Sequence, residues 1–136
     1  MGAFYPLSAC EQNALERQTA LAASSARLFQ DPFVPTPANV LADYTAAIAT
    51  FTGYSNQAVA AWLGPLTAPG GGWMITTPLL AFIATDGATP NTINGAYLVD
   101  AGGELRLAVV FDEPIAVAAA GNGALFYLVM TFTTGE

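Results

Sequence analysis

The chain has no histidine and no lysine, and it has a single cysteine, Cys10. Without histidine the usual general base, the proton shuttle of nucleophilic triads and the commonest metal ligand are all missing. One cysteine and no histidine exclude the standard zinc sets. A lone cysteine forms no intramolecular disulfide, so nothing marks an oxidising compartment. Only 10% of the 136 residues are charged, against about 25% in ordinary domains. Three arginines (Arg17, Arg27 and Arg106) oppose ten carboxylates, for a net charge of −7. No basic stripe exists to displace counterions from phosphates, which argues against direct nucleic-acid binding and equally against adhesion to an anionic membrane. The stretch from Tyr44 to Thr85 carries no charge, but prolines, glycines, threonines and asparagines interrupt it, so no membrane span is expected.

Other chemical signatures are also weak. Leu7-Ser8-Ala9-Cys10 matches a lipoprotein cleavage box, yet Met1 to Pro6 has no basic residue and is too short for an apolar signal core. Lipidation is not expected. Asp112-Glu113 and Asp86 are the remaining paired-carboxylate candidates. Neighbours on a continuing strand point to opposite faces, so Asp112 and Glu113 would converge only if Pro114 ends the strand in a turn. No Asp-rich loop supplies calcium ligands. Gly70-Gly71-Gly72 lacks the lysine and following helix of a phosphate-binding loop and reads as a flexible connection. No catalytic residue, cofactor or metal ligand is predicted, and the chain is expected not to be an enzyme.

What is abundant is apolar: 54% hydrophobic residues, with aromatic and branched side chains recurring along the whole length. This excludes disorder. Ser8 and Glu11 have capping-box spacing, and good helix formers follow, which predicts a helix over 8–23 with a thin apolar face. Beyond it the grammar is that of strands. Short strands are predicted over 26–30, 57–63, 73–84 (bulged or at an edge because of Pro78), 95–100, 104–112, 115–118 and 124–133. Ala101-Gly102-Gly103 and Gly121-Asn122-Gly123 supply turns. Residues 32–37 hold three prolines and read as extended loop; 41–50 reads as a turn or short helical piece. Six or more strands at roughly ten-residue spacing predict a mainly β fold, an antiparallel β-sandwich or jelly-roll-like barrel with one N-terminal α-helix and an extended N-terminal arm. Residues 1–25 form the arm and helix, and 26–136 a single β domain.

Sheet edges are normally guarded by lysine, and this chain has none. The uncharged run from Gly123 to Thr133 is therefore expected to lie centrally in its sheet. Phe4, Tyr5 and Leu7 near the N-terminus, with Phe33 in the proline-rich segment, read as candidate partner-docking residues. Trp62 and Trp73 flank the glycine loop and, with Tyr97, form the alternative candidate: an exposed platform for stacking sugars. The competing reading is that the tryptophans are core.

An ordered set of segments carries a resemblance. It runs through Arg27-Leu28-Phe29, Pro35-Thr36-Pro37, Leu41-Ala42-Asp43-Tyr44-Thr45 and Phe51-Thr52-Gly53-Tyr54. It continues through Gly87-Ala88-Thr89-Pro90-Asn91-Thr92-Ile93, Gly95-Ala96-Tyr97, Phe111-Asp112-Glu113-Pro114 and Thr131-Phe132-Thr133. In this it resembles small β-rich proteins encoded among the head genes of tailed bacteriophages, the capsid cement, decoration and minor structural proteins. The similarity covers about three-quarters of the chain. It implies a non-enzymatic virion protein, made in the host cytoplasm, that binds the major capsid protein and itself, as a trimer rather than a dimer. The alternative expectation is a host-surface glycan-binding module on a phage fibre or capsid tip. A third, a pilin-like or secreted adhesin subunit, needs an export signal that does not stand out in the sequence.

Overall fold

The computed structural model describes residues 9–132. In chain order these form α1 (Ala9–Ala20), β1 (Ser24–Gln30), α2 (Leu41–Ala46), β2 (Gln57–Val59), β3 (Leu63–Thr67), β4 (Trp73–Thr76), β5 (Leu80–Ile83), β6 (Asn91–Val99), β7 (Leu105–Val117), β8 (Gly123–Phe126) and β9 (Val129–Phe132). Every strand pairing is antiparallel. The fold is mainly β with an N-terminal helix and is sandwich-like; among the described residues no barrel closes. One sheet runs β2-β1-β6-β7; the strands facing it form a three-stranded β3-β4-β9 sheet and a two-stranded β5-β8 sheet.

The central strand β6 is buried on both faces. One face gives Ile93, Ala96 and Leu98 to the main core, together with Ala26 and Leu28 of β1, Phe82, Ile75 and Leu128. On the other face Tyr97 and Val99 join Phe29, Tyr44 of α2 and half-buried Phe33 in a second cluster under the 31–48 segment. Phe29, Phe33 and Tyr44 meet edge-on, with Phe33 5.0 Å from Tyr44 and 5.5 Å from Phe29, while Tyr97 lies tilted 5.3 Å from Tyr44. A single β sheet is thus sandwiched between the second sheet layer and a folded loop.

α1 buries Ala14 and Leu21 in the main core and packs on β3, β4 and β9. Its thin apolar face is sufficient because polar side chains tie its end down. Trp62 Nε1 donates to the Leu21 carbonyl at 3.2 Å, and Gln18 Nε2 donates to the carbonyls of Trp62 and Gly64 at 2.6 and 2.8 Å. Carbonyls near a helix C-terminus lack intrahelical partners, and an indole N–H here satisfies one of them. Ser8, half of the expected capping box, lies outside the described residues.

Three strand expectations are refined by local chemistry. The predicted strand 73–84 is two strands, because Pro78 has no N–H to give the ladder. Opposite it, Thr77 takes over: its N–H donates to the Leu128 carbonyl, and its hydroxyl accepts the Leu128 N–H, each at 3.0 Å. The predicted 124–133 strand splits at the same point, giving β8 and β9. Conversely, 104–112 and 115–118 merge into the single strand β7. The register steps from Ile93↔Ile115 to Gly95↔Val110, so Phe111-Asp112-Glu113-Pro114 bulges out of the ladder. That bulge accommodates Pro114 in an edge strand and displays both carboxylates on the exposed side.

The central placement expected for Gly123 to Thr133 is corrected by the topology. β9 is an edge of its three-stranded sheet, and β8 pairs only with β5. Ala124, Phe126, Leu128, Met130 and Phe132 do point into the core. Burial of one face constrains where side chains go, and it leaves open how many strands pair alongside.

Candidate functional site

Among the described residues no group of three or more His, Cys, Asp or Glu comes together, and no helix is long and apolar enough to cross a membrane. A cleft of about 440 Å³ lies beside α1, lined by Asn13, Glu16, Arg17, Ala20 and Phe132. It places one carboxylate and one guanidinium on the same helix turn.

The charged side chains cluster at places with structural duties. Asp100 closes the β6–β7 turn: one carboxylate oxygen accepts the Gly102 and Glu104 N–H groups, and the other pairs with Arg106. These donors, the Glu104 N–H foremost, hold its pKa below the usual carboxylate range. Asp43 accepts the Val40 N–H at the start of α2, which likewise lowers its pKa, with Asn39 contributing. Neither perturbation belongs to a cleft.

The proposed sugar platform is not assembled. Trp62 is 3% exposed in the main core, and Tyr97 is fully buried in the second cluster. Trp73 is half-buried and packs against the main core. These three rings serve packing on two different faces of the β2-β1-β6-β7 sheet, and they do not share an exposed groove. Phe4, Tyr5 and Leu7 lie outside the described residues. Phe33 is held by the ring contacts above, and its carbonyl accepts a hydrogen bond from Asn94 Nδ2 at 3.2 Å; Val34 beside it is exposed.

The feature that does stand out is a sheet face. Paired residues in antiparallel strands share a face. The pairs Leu63↔Thr76, Leu66↔Met74, Thr76↔Val129 and Met74↔Thr131 therefore place these side chains together on the side of β3-β4-β9 opposite the core. Between Thr76↔Val129 and Leu80↔Phe126 the chain spends three residues on one strand and two on the other, a bulge at Thr77-Pro78-Leu79. The extra residue switches the inward set from odd numbers (Trp73, Ile75, Thr77) to even ones (Leu80, Phe82, Ala84), while the opposite strand keeps its phase. The outer face therefore continues without interruption onto β5-β8, with Leu79, Ala81 and Ile83 beside Leu125 and Tyr127. Of the ten large hydrophobic residues that are exposed among the described residues, seven lie here, each showing 39% to 58% of its surface: Leu63, Leu66, Leu79, Ile83, Leu125, Tyr127 and Val129.

Among the described residues this face has no charge. Its strands come from 57–85 and 114–132, and neither segment contains a single Asp, Glu, Lys or Arg. Comparison with family models, with curated proteins and with solved structures finds no match. The chain is thus described by its own geometry: a sandwich whose carboxylates, among the described residues, lie on α1, the 31–48 layer, the 86 loop and the β6–β7 side, and whose opposite side is an uncharged apolar sheet. Scattered exposed apolar residues are normal, but a contiguous patch of several hundred Å² marks an interaction surface. The absence of charge from 44 to 85 is legible in the sequence. That two distant uncharged segments pair into one outer face depends on the bulge at Pro78.

Proposed function

We propose that this chain is a virion structural protein, without catalytic function, that binds the major capsid protein lattice of a tailed phage and stabilises the shell as a cement or decoration subunit. The observation that carries the reading is the uncharged outer face of β3-β4-β9 and β5-β8. An isolated soluble protein has little reason to keep such a face in water, whereas a subunit of an assembly covers it. The ordered resemblance to phage head proteins, and a sequence without histidine or lysine, support the same class. In a shell, many copies each contribute a modest contact, and repeated attachment multiplies weak binding. Phe4, Tyr5 and Leu7, which precede α1 in the sequence, are the proposed capsid-docking residues.

The test is a copy-number count in purified particles by quantitative mass spectrometry, run beside a glycan array with the purified chain. Cement requires on the order of hundreds of copies per particle and no sugar binding. A few copies that bind sugar would assign the chain to host recognition instead, and absence from particles would refute the virion reading altogether.

A further inference from the structure

We propose that the partner covering the uncharged face is a second copy of this chain, the two outer sheets stacking across a two-fold axis. The inference concerns the chain in solution and stands whether or not the virion reading holds.

Charge is the first argument. Each copy carries a net −7, so two copies repel through most of their surface. The outer face of β3, β4, β5, β8 and β9 is where they meet without bringing together any carboxylate of the described residues. A partner presenting charged groups would bury them against a surface with no counter-charge, which costs several kcal/mol per ion. The occupant must therefore offer an uncharged apolar surface, and the chain carries one itself.

Size and shape are the second. The seven exposed apolar side chains present roughly 600 Å² per copy, close to the ~800 Å² per partner of a standard specific interface once Met74, Thr76, Ala81 and Thr131 are added. Two β-sheet faces stack about 10 Å apart with strands aligned within about 30°. A face that packs on itself is isologous and closes at two copies. Three copies around an axis would turn each face toward two neighbours and leave part of it wet. The geometry thus favours a pair over the trimer that the resemblance implies.

The full-length chain of 14.0 kDa is measured by sedimentation velocity from about 1 to 100 µM, a range spanning ordinary interface affinities. The expected species has twice the chain mass. Leu125→Glu/Tyr127→Glu places two carboxylates on the face, where both wild-type side chains are 58% exposed. It should weaken pairing by about 100-fold or more, as unpaired buried charge does, with an unchanged far-UV spectrum. Val110→Glu, at an exposed site on β7 of the other sheet, should pair as the native chain does. Hydrogen exchange on the unmutated chain gives a readout free of folding effects: amides in 63–67 and 123–132 should gain protection on going from dilute to concentrated solution, and those in 105–112 should not. A monomeric native chain at the top concentration, a three-chain mass, a face variant that folds and still pairs, or protection gained elsewhere would each overturn the proposal. A monomer whose face variant loses particle attachment would assign the face to the capsid instead.

Discussion

Gly95 lies mid-way along β6, with Phe29 of β1 on one side and Val110 of β7 on the other. Replacing it with alanine would drive the new methyl group into the Val109 carbonyl oxygen and to 2.5 Å from Phe29 Cζ. Neither neighbour has room to give. The carbonyl belongs to the β6–β7 ladder, and the Phe29 ring is wedged edge-on against Phe33 and Tyr44. Overpacking in a filled core costs about 1–3 kcal/mol, and two rigid walls place this site at the upper end. Removing a glycine from the unfolded chain offsets about 0.4–1 kcal/mol. The net expectation for Gly95→Ala is therefore a loss of about 2 kcal/mol, or about 6 °C in Tm for a chain of this length. Urea unfolding followed by far-UV circular dichroism measures it, with an unchanged m-value showing that only stability moved. A variant within about 0.5 kcal/mol of the native chain, the usual scatter for surface changes, would show that β6 is not so tightly enclosed.

The Tyr97 hydroxyl is buried and has no hydrogen-bond partner among the described residues, so Tyr97→Phe should leave stability unchanged or raise it by about 1 kcal/mol; a loss of that size in the same urea experiment would reveal a partner. Asn91 Oδ1 accepts the N–H groups of Thr50 and Phe51 at 2.7 and 3.0 Å. Asn91→Ala should cost about 2–3 kcal/mol by stranding them, and a neutral result would mean that the 49–56 loop is not anchored there. Burial pushes the Tyr54 phenol up to about 12 from 10.0, although its oxygen accepts the Leu28 N–H. The neutral phenol is the form favoured by folding, so this contribution is whole below pH 10 and is lost as pH rises through about 12. Absorbance titration at the phenolate band should show Tyr54 ionising late, with Tyr44 also raised by burial, and a normal midpoint for Tyr54 would contradict its packing.

The low charge content, the missing histidine and lysine, the apolar stretch after Tyr44 and the turn residues are properties of composition and local chemistry, so they are read without coordinates. They predict a mainly β sandwich or barrel with an N-terminal helix, and the strand signals at 26–30, 95–100 and 104–112 correspond to β1, β6 and β7. Most of the alternation along β7 is visible too: Leu107, Val109 and Phe111 turn to the main core, while Arg106, Ala108 and Val110 face out. Leu105, read on the same face as Leu107, instead packs on the second cluster beyond a register shift at Leu98 and Val99.

Tertiary structure decided the rest. Residues 57–63 and 73–84 carry strand chemistry, but only their partners determine where each strand breaks: the first is interrupted after Val59, and β3 runs from Leu63 to Thr67, past the predicted end. Trp62 looks like a platform residue in one dimension and is an anchor for α1 in three, because its indole finds the Leu21 carbonyl, a backbone group 41 positions away. The uncharged run ending at Phe132 was expected inside a sheet, since a lone strand must hide its apolar side chains. Pairing through only one edge hides the inward half and leaves Leu125, Tyr127 and Val129 outside. Which side chains a strand presents inward is set by its two-residue period. What stands next to it, and hence what remains for another molecule to cover, is set by contacts between segments far apart in the chain.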